Sequence, residues 1–410
     1  MIGMTRPVID LGTDRVLALL EALGAPHKAL KNIIHVTGTN GKGSTCEMIA
    51  YGLSGLGVRL GIFTSPFLVD ETDSIRTFDS VGNQRVISEI QESHFAKIRE
   101  RISMTNEKKA LGITDFESLF CAACVYFHDQ AVDTIIVEVG LGGLRDATNV
   151  FHNQRTLCVL TGVSLDHQKF LGNTVEEICR EKCGIVQEGS TLVVNGSIPC
   201  MEVVKRVFKQ RGGKDLIVID PKECSHLSPP LNGGHQLVLT GIALRVIKFI
   251  RSSDACMQFV MDTKLPGRLE RRRDIPRVRF PVILDGAHNE ESAVALRQFA
   301  DREACGRSLV WIIATSAGRE SVVIPNLVRP EDSAIFIKFK SPDSASWIQC
   351  ASPHELAAIS STMAFQTIDG FVDEAIASIG DIDDTTQLVL VAGSLYLVRN
   401  YLRFISSGVV

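Results

Sequence analysis

No stretch of this sequence runs for about 18 apolar residues, the length a membrane-spanning helix needs, so no transmembrane segment is expected. The longest apolar helix candidate, residues 236–250, is broken by Arg245 and Lys248. The N-terminus also lacks the basic region and apolar run of a secretory signal. Neither sign of charge is in large excess. With 43 Lys and Arg against 47 Asp and Glu, the net charge is −4, which offers no electrostatic case for nucleic acid or a membrane surface as partner. Disulfide spacing is missing too. Eleven cysteines are scattered along 410 residues, which predicts free thiols in a reducing, cytoplasmic compartment. Cys121 and Cys124 form a C-x-x-C, but inside an apolar helical stretch at 119–127, and no second Cys or His pair supplies the other half of a zinc site. They are expected to be core thiols.

What is present is a globular composition, 45% apolar, in a chain long enough for two domains. Its most informative stretch is Ile33-Ile34-His35-Val36-Thr37-Gly38-Thr39-Asn40-Gly41-Lys42-Gly43-Ser44-Thr45. A β-branched strand breaks into glycines and restarts as a helix. Glycines let backbone N–H groups approach a phosphate closely, and the helix N-terminus favours its charge. Lys42 adds a mobile cation for the β- and γ-phosphates, and Ser44 or Thr45 a hydroxyl for Mg²⁺. Gly43 stands between the lysine and the hydroxyls, so the spacing is not the usual G-x-x-x-x-G-K-[ST].

Residues 10–24 have helical spacing of Val16, Leu19, Leu20 and Leu23, with Gly24 as the stop. A short strand at 59–64 ends in Ser65-Pro66. Thr114 and Glu117 frame a capping box at the start of a long apolar helix. The strand at 134–139 ends in Glu138, and an acid at the carboxyl end of an α/β strand points into the ligand crevice. Near a phosphate loop it suits Mg²⁺; a salt-bridged or capping acid is the alternative. The strand at 156–163 leads to Asp166-His167, where the histidine is either a metal ligand or structural. Lys182 lies on a helix opened by Thr174 and reads, from its neighbours alone, as a surface lysine. A basic helix at 204–213, a strand at 216–219 and a turn-rich segment at 227–234 follow, the last reading as a linker. The run Arg271-Arg272-Arg273 reads as a solvated face. From Val282 a second alternation of strands (308–314, 334–338, 388–392) and helices begins. The expected fold is therefore α/β, a P-loop ATPase-like domain with a mostly parallel sheet over residues 1–264 and a smaller Rossmann-like domain over 265–410.

In order along the chain, the motifs T-G-T-N-G-K-G-S (37–44), T-S-P (64–66), T-D-F-E (114–117), D-A-T-N (146–149), E-K-C-G-I (181–185), P-G-R (266–268), D-G-A-H-N (285–289) and G-S-L-Y (393–396) resemble the folylpolyglutamate synthase and dihydrofolate synthase family of the Mur ligase superfamily. The stretches PLNGGHQ, LPGRLE and LDGAHN look most like its fungal dihydrofolate synthase branch. Phe67, Leu144-Arg145 and Leu239 depart from the family pattern, which leaves a nucleotide-binding but inactive paralogue, or a folylpolyglutamate synthase, as alternatives.

The resemblance implies ATP-dependent ligation of L-glutamate to dihydropteroate through an acyl phosphate. It implies ATP contacts from Thr39, Asn40, Gly41, Lys42, Gly43, Ser44, Thr45, Arg268 and Asp285, and two Mg²⁺ ions held by Ser44, Ser65 and Glu138 and by His167 and a carbamylated Lys182. It further implies pterin-side contacts from Thr114, Asp115, Phe116, Glu117, Arg145, Asp146 and Ala147, and glutamate contacts from His288 and Ser394. The partners expected are these small molecules, with the chain a monomer.

Overall fold

The computed structural model describes residues 9–406 except 82–83, 133, 153–154, 254–255, 276–277, 279, 343–347 and 380–384; the extreme ends of the two expected domains lie outside this set. The chain falls into two units, one of residues up to Pro230 plus Gln236–Lys264, the other of Leu231–His235 plus Leu265 onward.

The first unit is built on eight strands: β1 (Asn32–Thr37), β2 (Leu60–Phe63), β3 (Ile75–Val81), β4 (Gln84–Glu89), β5 (Thr134–Glu138), β6 (Arg155–Leu160), β7 (Thr191–Asn195) and β8 (Asp215–Ile219). They lie in the order β4-β3-β2-β5-β1-β6-β7-β8, and only β3 runs against the others, antiparallel to both of its neighbours β2 and β4. Helices α1 (Asp14–Ala22), α2 (Lys42–Gly55), α3 (Glu92–Lys109), α4 (Asp115–Asp129), α5 (Gln168–Leu171), α6 (Val175–Lys182), α7 (Met201–Gln210), α8 (Gln236–Arg251) and α9 (Met257–Val260) cover it. The central strands are apolar on both faces, as a covered parallel sheet requires. Ile33 and Ile135 face the core under α1, α3 and α4, while their neighbours Ile34 and Ile136 face the core under α2 and α8.

The second unit carries β9 (Glu270–Arg272), β10 (Val282–Leu284), β11 (Ser308–Ile313), β12 (Ser333–Phe336), β13 (Ala364–Thr367) and β14 (Gln387–Ala392), in the order β13-β12-β11-β14-β10-β9. Only β9 runs antiparallel. Helices α10 (Glu290–Ala304), α11 (Glu320–Leu327), α12 (Pro353–Ile359), α13 (Val372–Ser378) and α14 (Leu395–Ser406) connect the strands. The α/β class and its two sheets match the sequence-based expectation.

Several elements were not foreseen. The β3–β4 hairpin escapes pattern reading because β4 is largely exposed, so no buried face marks it. Strands β7 and β13 were also not anticipated. The basic run at 271–273 is a solvated face at Arg271 and Arg273, as expected, and it overlaps the edge strand β9, where Arg271 pairs with Glu303 and the less exposed Arg272 with Glu270 and Asp274. Cys121 and Cys124 are buried free thiols. Among the described residues, no helix is long and apolar enough to cross a membrane.

The second unit has a buried polar lock. One Asp332 carboxylate oxygen accepts from the Trp311 indole at 3.1 Å, from the Arg329 backbone N–H at 2.8 Å and from the Arg297 guanidinium. Arg297 and Asp332 are both nearly inaccessible, so removing the carboxylate takes the acceptor from the Trp311 and Arg329 N–H groups and leaves the buried guanidinium with Asp301, at 2.9 Å, as its remaining close carboxylate partner. Asp332→Ala is expected to destabilise this unit by about 3–5 kcal/mol. Both tryptophans of the chain lie beyond residue 264, so urea unfolding followed by tryptophan emission reports this unit; an unchanged midpoint would contradict the assignment.

Candidate active site

Strand register decides what meets at the carboxyl end of the first sheet. Val36 stands beside Glu138, Thr37 beside Leu160, and Phe63 beside Val137. The segments that follow β1, β2, β5 and β6 therefore emerge at one edge, where open α/β sheets bind ligands.

The segment after β1 is the glycine loop. At Gly38 the backbone has φ +155, and a Cβ would lie 1.9 Å from Thr161 Oγ1; at Gly41 φ is +83 and a Cβ would lie 2.6 Å from Leu239 Cδ1. Neither position accepts a side chain. Thr39 exchanges hydrogen bonds with Ser164, its hydroxyl donating to the carbonyl and accepting from the N–H. Thr161 donates to the Asn40 carbonyl at 2.6 Å. Thr45 donates to the Gly41 carbonyl at 2.9 Å and is fully buried. Its proton is thus held by the first turn of α2. Asn40, Gly41, Lys42 and Gly43 are half-buried. Leu239, which departs from the family pattern in sequence, packs on the loop itself.

The Lys42 side chain does not extend outward as a mobile cation. Instead its Nζ folds back onto the loop, donating to the carbonyls of Gly38 at 3.1 Å and Thr39 at 3.3 Å. Lys182 also reaches this loop. Its Nζ donates to the same Gly38 carbonyl at 2.9 Å, and its side chain is 5% exposed. The surface reading of Lys182 is overturned. Burial, and then the charge of Lys42, push its amine down to about 7, against the opposing pull of Asp166, Asp146 and Glu181.

Glu138 is buried and one of its oxygens accepts from the Ser65 backbone N–H at 3.2 Å, so the strand-end acid and the Ser65 turn are brought together as expected. Asp73, which sequence reading passed over, holds the rest of that turn through the N–H groups of Leu68 and Val69. Burial raises its carboxyl to about 6. His167 is exposed and left-handed (φ 50), with its ring 3.9 Å from Asp166. Among the described residues no three His, Cys, Asp or Glu side chains converge as a metal cage. The donors at this edge are oxygens around one buried carboxylate. That set fits a hard cation that keeps waters and takes its remaining ligands from a phosphate.

The capping box at α4 is formed. The Thr114 hydroxyl accepts from Glu117 N at 3.2 Å and Glu117 accepts from Thr114 N at 2.6 Å. Glu117 is then gripped by Arg15 of α1, at 2.9 Å, a partner that no local pattern announces. Glu117 is 2% exposed, so it braces the corner and offers no open face; Asp115 is exposed and Phe116 half-buried. Gly140 lies against the Phe116 ring, where a Cβ would come within 2.3 Å. Asp146 and Ala147 lie beneath the surface. The Asp146 carboxylate accepts from Leu141 N at 2.7 Å and from Thr148, and Thr148 in turn bonds His35 at 2.8 Å. Arg145 is half-exposed and reaches Glu181 and the Phe170 carbonyl.

In the second unit Asp285 accepts from Leu269 N at 2.9 Å and Ala287 N at 2.8 Å. Burial raises its carboxyl against the pull of Arg268. Arg268 bonds the Gly267 carbonyl at 3.1 Å, and Gly286 admits it closely, a Cβ there lying 2.7 Å from its Nη1. The His288 ring meets the Gly286 carbonyl at 2.9 Å. Ser394 is 2% exposed and accepts from Tyr396 N at 3.1 Å. It therefore caps the start of α14.

The Lys182 environment carries a prediction about pH. Its folded value of about 7 lies below the ordinary 10.5, so between these values the unfolded chain binds more protons, and this group makes stability rise with pH. Lys182→Met should be more stable than the parent at pH 6.5, with the gap closing towards pH 10. Urea midpoints at pH 6.5 and 9.5 test this; an equal difference at both would contradict it.

Comparison with known proteins follows the same division of the chain. Residues 36–226 match the Mur ligase middle domain and residues 269–404 the dihydrofolate synthetase C-terminal domain. The chain is 32% identical to the dihydrofolate synthetase of Saccharomyces cerevisiae, covering 97% of this chain and 99% of that one. It is similar in structure to a Mycobacterium tuberculosis folylpolyglutamate synthase complexed with ADP (TM-score 0.81, 25% identity, 95% and 94% of the two chains). A Yersinia pestis bifunctional folylpolyglutamate synthase/dihydrofolate synthase, complexed with AMPPNP and a manganese ion, has a TM-score of 0.80 at 25% identity over 98% and 95%. With phosphate loop, strand-end acid, buried lysine and C-terminal motifs all in place, the chain belongs to the dihydrofolate synthetase family of Mur ligases.

Proposed function

We propose that this protein ligates L-glutamate to dihydropteroate with ATP, giving dihydrofolate, ADP and phosphate. The observation that carries the reading is the meeting of Lys42 and Lys182 on one carbonyl of a glycine loop, at the sheet edge that also bears Glu138 and Ser65. In this reading residues 1–264 bind ATP and the acceptor, and residues 265–410 contribute Arg268 and Asp285 to the nucleotide and His288 to the entry of glutamate.

The loop N–H groups from Asn40 to Ser44 receive the phosphates, and Lys42 exchanges the Gly38 carbonyl for a phosphate oxygen. Ser44, Ser65 and Glu138 would hold one Mg²⁺, and His167 with Lys182 a second; when bound, these ions neutralise charge on the transferred phosphoryl group. A lysine held near 7 is neutral often enough to add to CO₂, losing a proton and gaining a carboxylate. The acceptor's carboxylate takes the γ-phosphoryl group, the glutamate amine displaces phosphate, and the amide remains. The chain's contribution is positioning and charge balance. The half-buried Phe116 ring over Gly140 gives a flat apolar face for the pterin. In this reading Thr114, Asp115 and Arg145 supply polar contacts to the acceptor, and the buried Asp146-Ala147 turn sets the loop's shape.

The assay is ADP formation with ATP and L-glutamate, comparing dihydropteroate with tetrahydrofolate as acceptor. Turnover with dihydropteroate and a product carrying one glutamate is expected; turnover with tetrahydrofolate alone would replace the reading by folylpolyglutamate synthesis, and none with either would indicate a nucleotide-binding paralogue. Lys42→Ala should lose on the order of 10²–10³ in kcat with an unchanged unfolding midpoint. Lys182→Ala should lose nearly all activity, and added formate should restore part of it while Lys182→Arg stays inactive. Full activity of Lys182→Ala without additive would remove the carbamate from the mechanism.

A further inference from the structure

The phosphate loop is served by a second helix. Helices α2 and α8 run side by side in the same direction. Gly41 meets Leu239, Ser44 meets Gln236, Met48 meets Thr240 and Gly52 meets Ile247. The partners on α8 fall at intervals of three, four and seven residues, one face of a helix, and that face is buried. The start of α8 therefore lies beside the start of α2, and the partial positive ends of both helices sit at the loop.

At that junction Gln236 does something packing does not require. Its side chain is 1% exposed, and its Nε2 donates to Ser44 Oγ at 3.3 Å. Ser44 is itself 2% exposed and follows the half-buried Lys42 and Gly43 at the mouth of the loop. A serine hydroxyl has one proton and two lone pairs. A donor fixed on one lone pair selects the rotamer and turns the other lone pair elsewhere. Thr45, the neighbouring hydroxyl, is already committed to the Gly41 carbonyl. Ser44 is thus the loop hydroxyl whose direction is set from outside its own helix.

We infer that Gln236 is a positioning residue for the phosphate site: it orients the Ser44 hydroxyl toward a divalent cation carried on a nucleoside diphosphate or triphosphate. Leu239 and Thr240 hold α8 in the register that makes this reach possible. Such a residue acts on metal-assisted binding and leaves the loop's own N–H contacts with phosphate intact. The inference rests on the nucleotide reading of the loop, and binding measurements separate the two.

The test is the Kd of the full chain for ADP, by calorimetry, in EDTA and in saturating Mg²⁺. In the parent, Mg²⁺ tightens ADP binding. In Gln236→Met and Gln236→Leu, both apolar and near the original volume, the Mg²⁺ effect should fall about tenfold while the Kd in EDTA stays within about twofold of the parent. Ser44→Ala should lose the same effect, and adding Gln236→Met to it should cost nothing further, because two residues acting through one hydroxyl are not additive. Leu239→Ala, which loosens packing under Gly41, should weaken binding equally in both conditions. Equal weakening by Gln236→Met with and without Mg²⁺, an unchanged Mg²⁺ effect, or additivity with Ser44→Ala would each overturn the inference and leave the nucleotide site standing. A parent that binds no ADP would overturn the site and the inference together.

Discussion

Two ammonium groups share the carbonyl oxygen of Gly38, and much of the site depends on that arrangement. Gly38 can offer the oxygen because its backbone adopts a conformation closed to other residues, pressed against Thr161. Two cations cannot meet at one acceptor in a buried place without one yielding, and burial decides which. Lys182, almost wholly enclosed, is the one whose charged form is disfavoured. Lys42, half-exposed at the start of α2, is the one able to leave for an incoming phosphate. An identical pair on the surface would be screened and indifferent.

The sheet makes this meeting possible. With β5, β1 and β6 adjacent and parallel, the ends of three strands present the glycine loop, Glu138 and the Thr161–His167 segment side by side. The loop is then braced from beyond its own strand–helix unit. Thr161 and Ser164 hold its backbone, Leu239 fills the space at Gly41, and Gln236 reaches Ser44. Each contact spans more than a hundred residues of sequence, the usual pattern where rigid elements place mobile chemistry.

This long range separates what could be read in the sequence from what could not. The strand–glycine–helix pattern, the capping box at Thr114 and Glu117, and the strand ending in Glu138 are local and legible. Family resemblance assigned Lys182, whose neighbours on α6 are mostly polar and suggest a surface; its burial comes from the loop it packs under. Arg15 was invisible because its partner lies 102 residues away. The β3–β4 hairpin left no trace because an exposed edge strand has no buried face to alternate with. Thr45 and Ser394 each hold a helix start in a way no local pattern gives. A hydroxyl at a helix start serves a ligand or the helix, and only the hydrogen-bond partner tells which.

In the proposed reaction this site joins two substrates by activating a carboxylate with phosphate. Dihydropteroate labelled with ¹⁸O in its carboxylate, turned over with ATP and L-glutamate, tests that claim most directly. An acyl phosphate transfers one carboxylate oxygen to the released phosphate, so one ¹⁸O per amide bond should appear there. Phosphate free of label, with oxygen drawn from water, would contradict the account and reduce the site to a hydrolase of nucleotide.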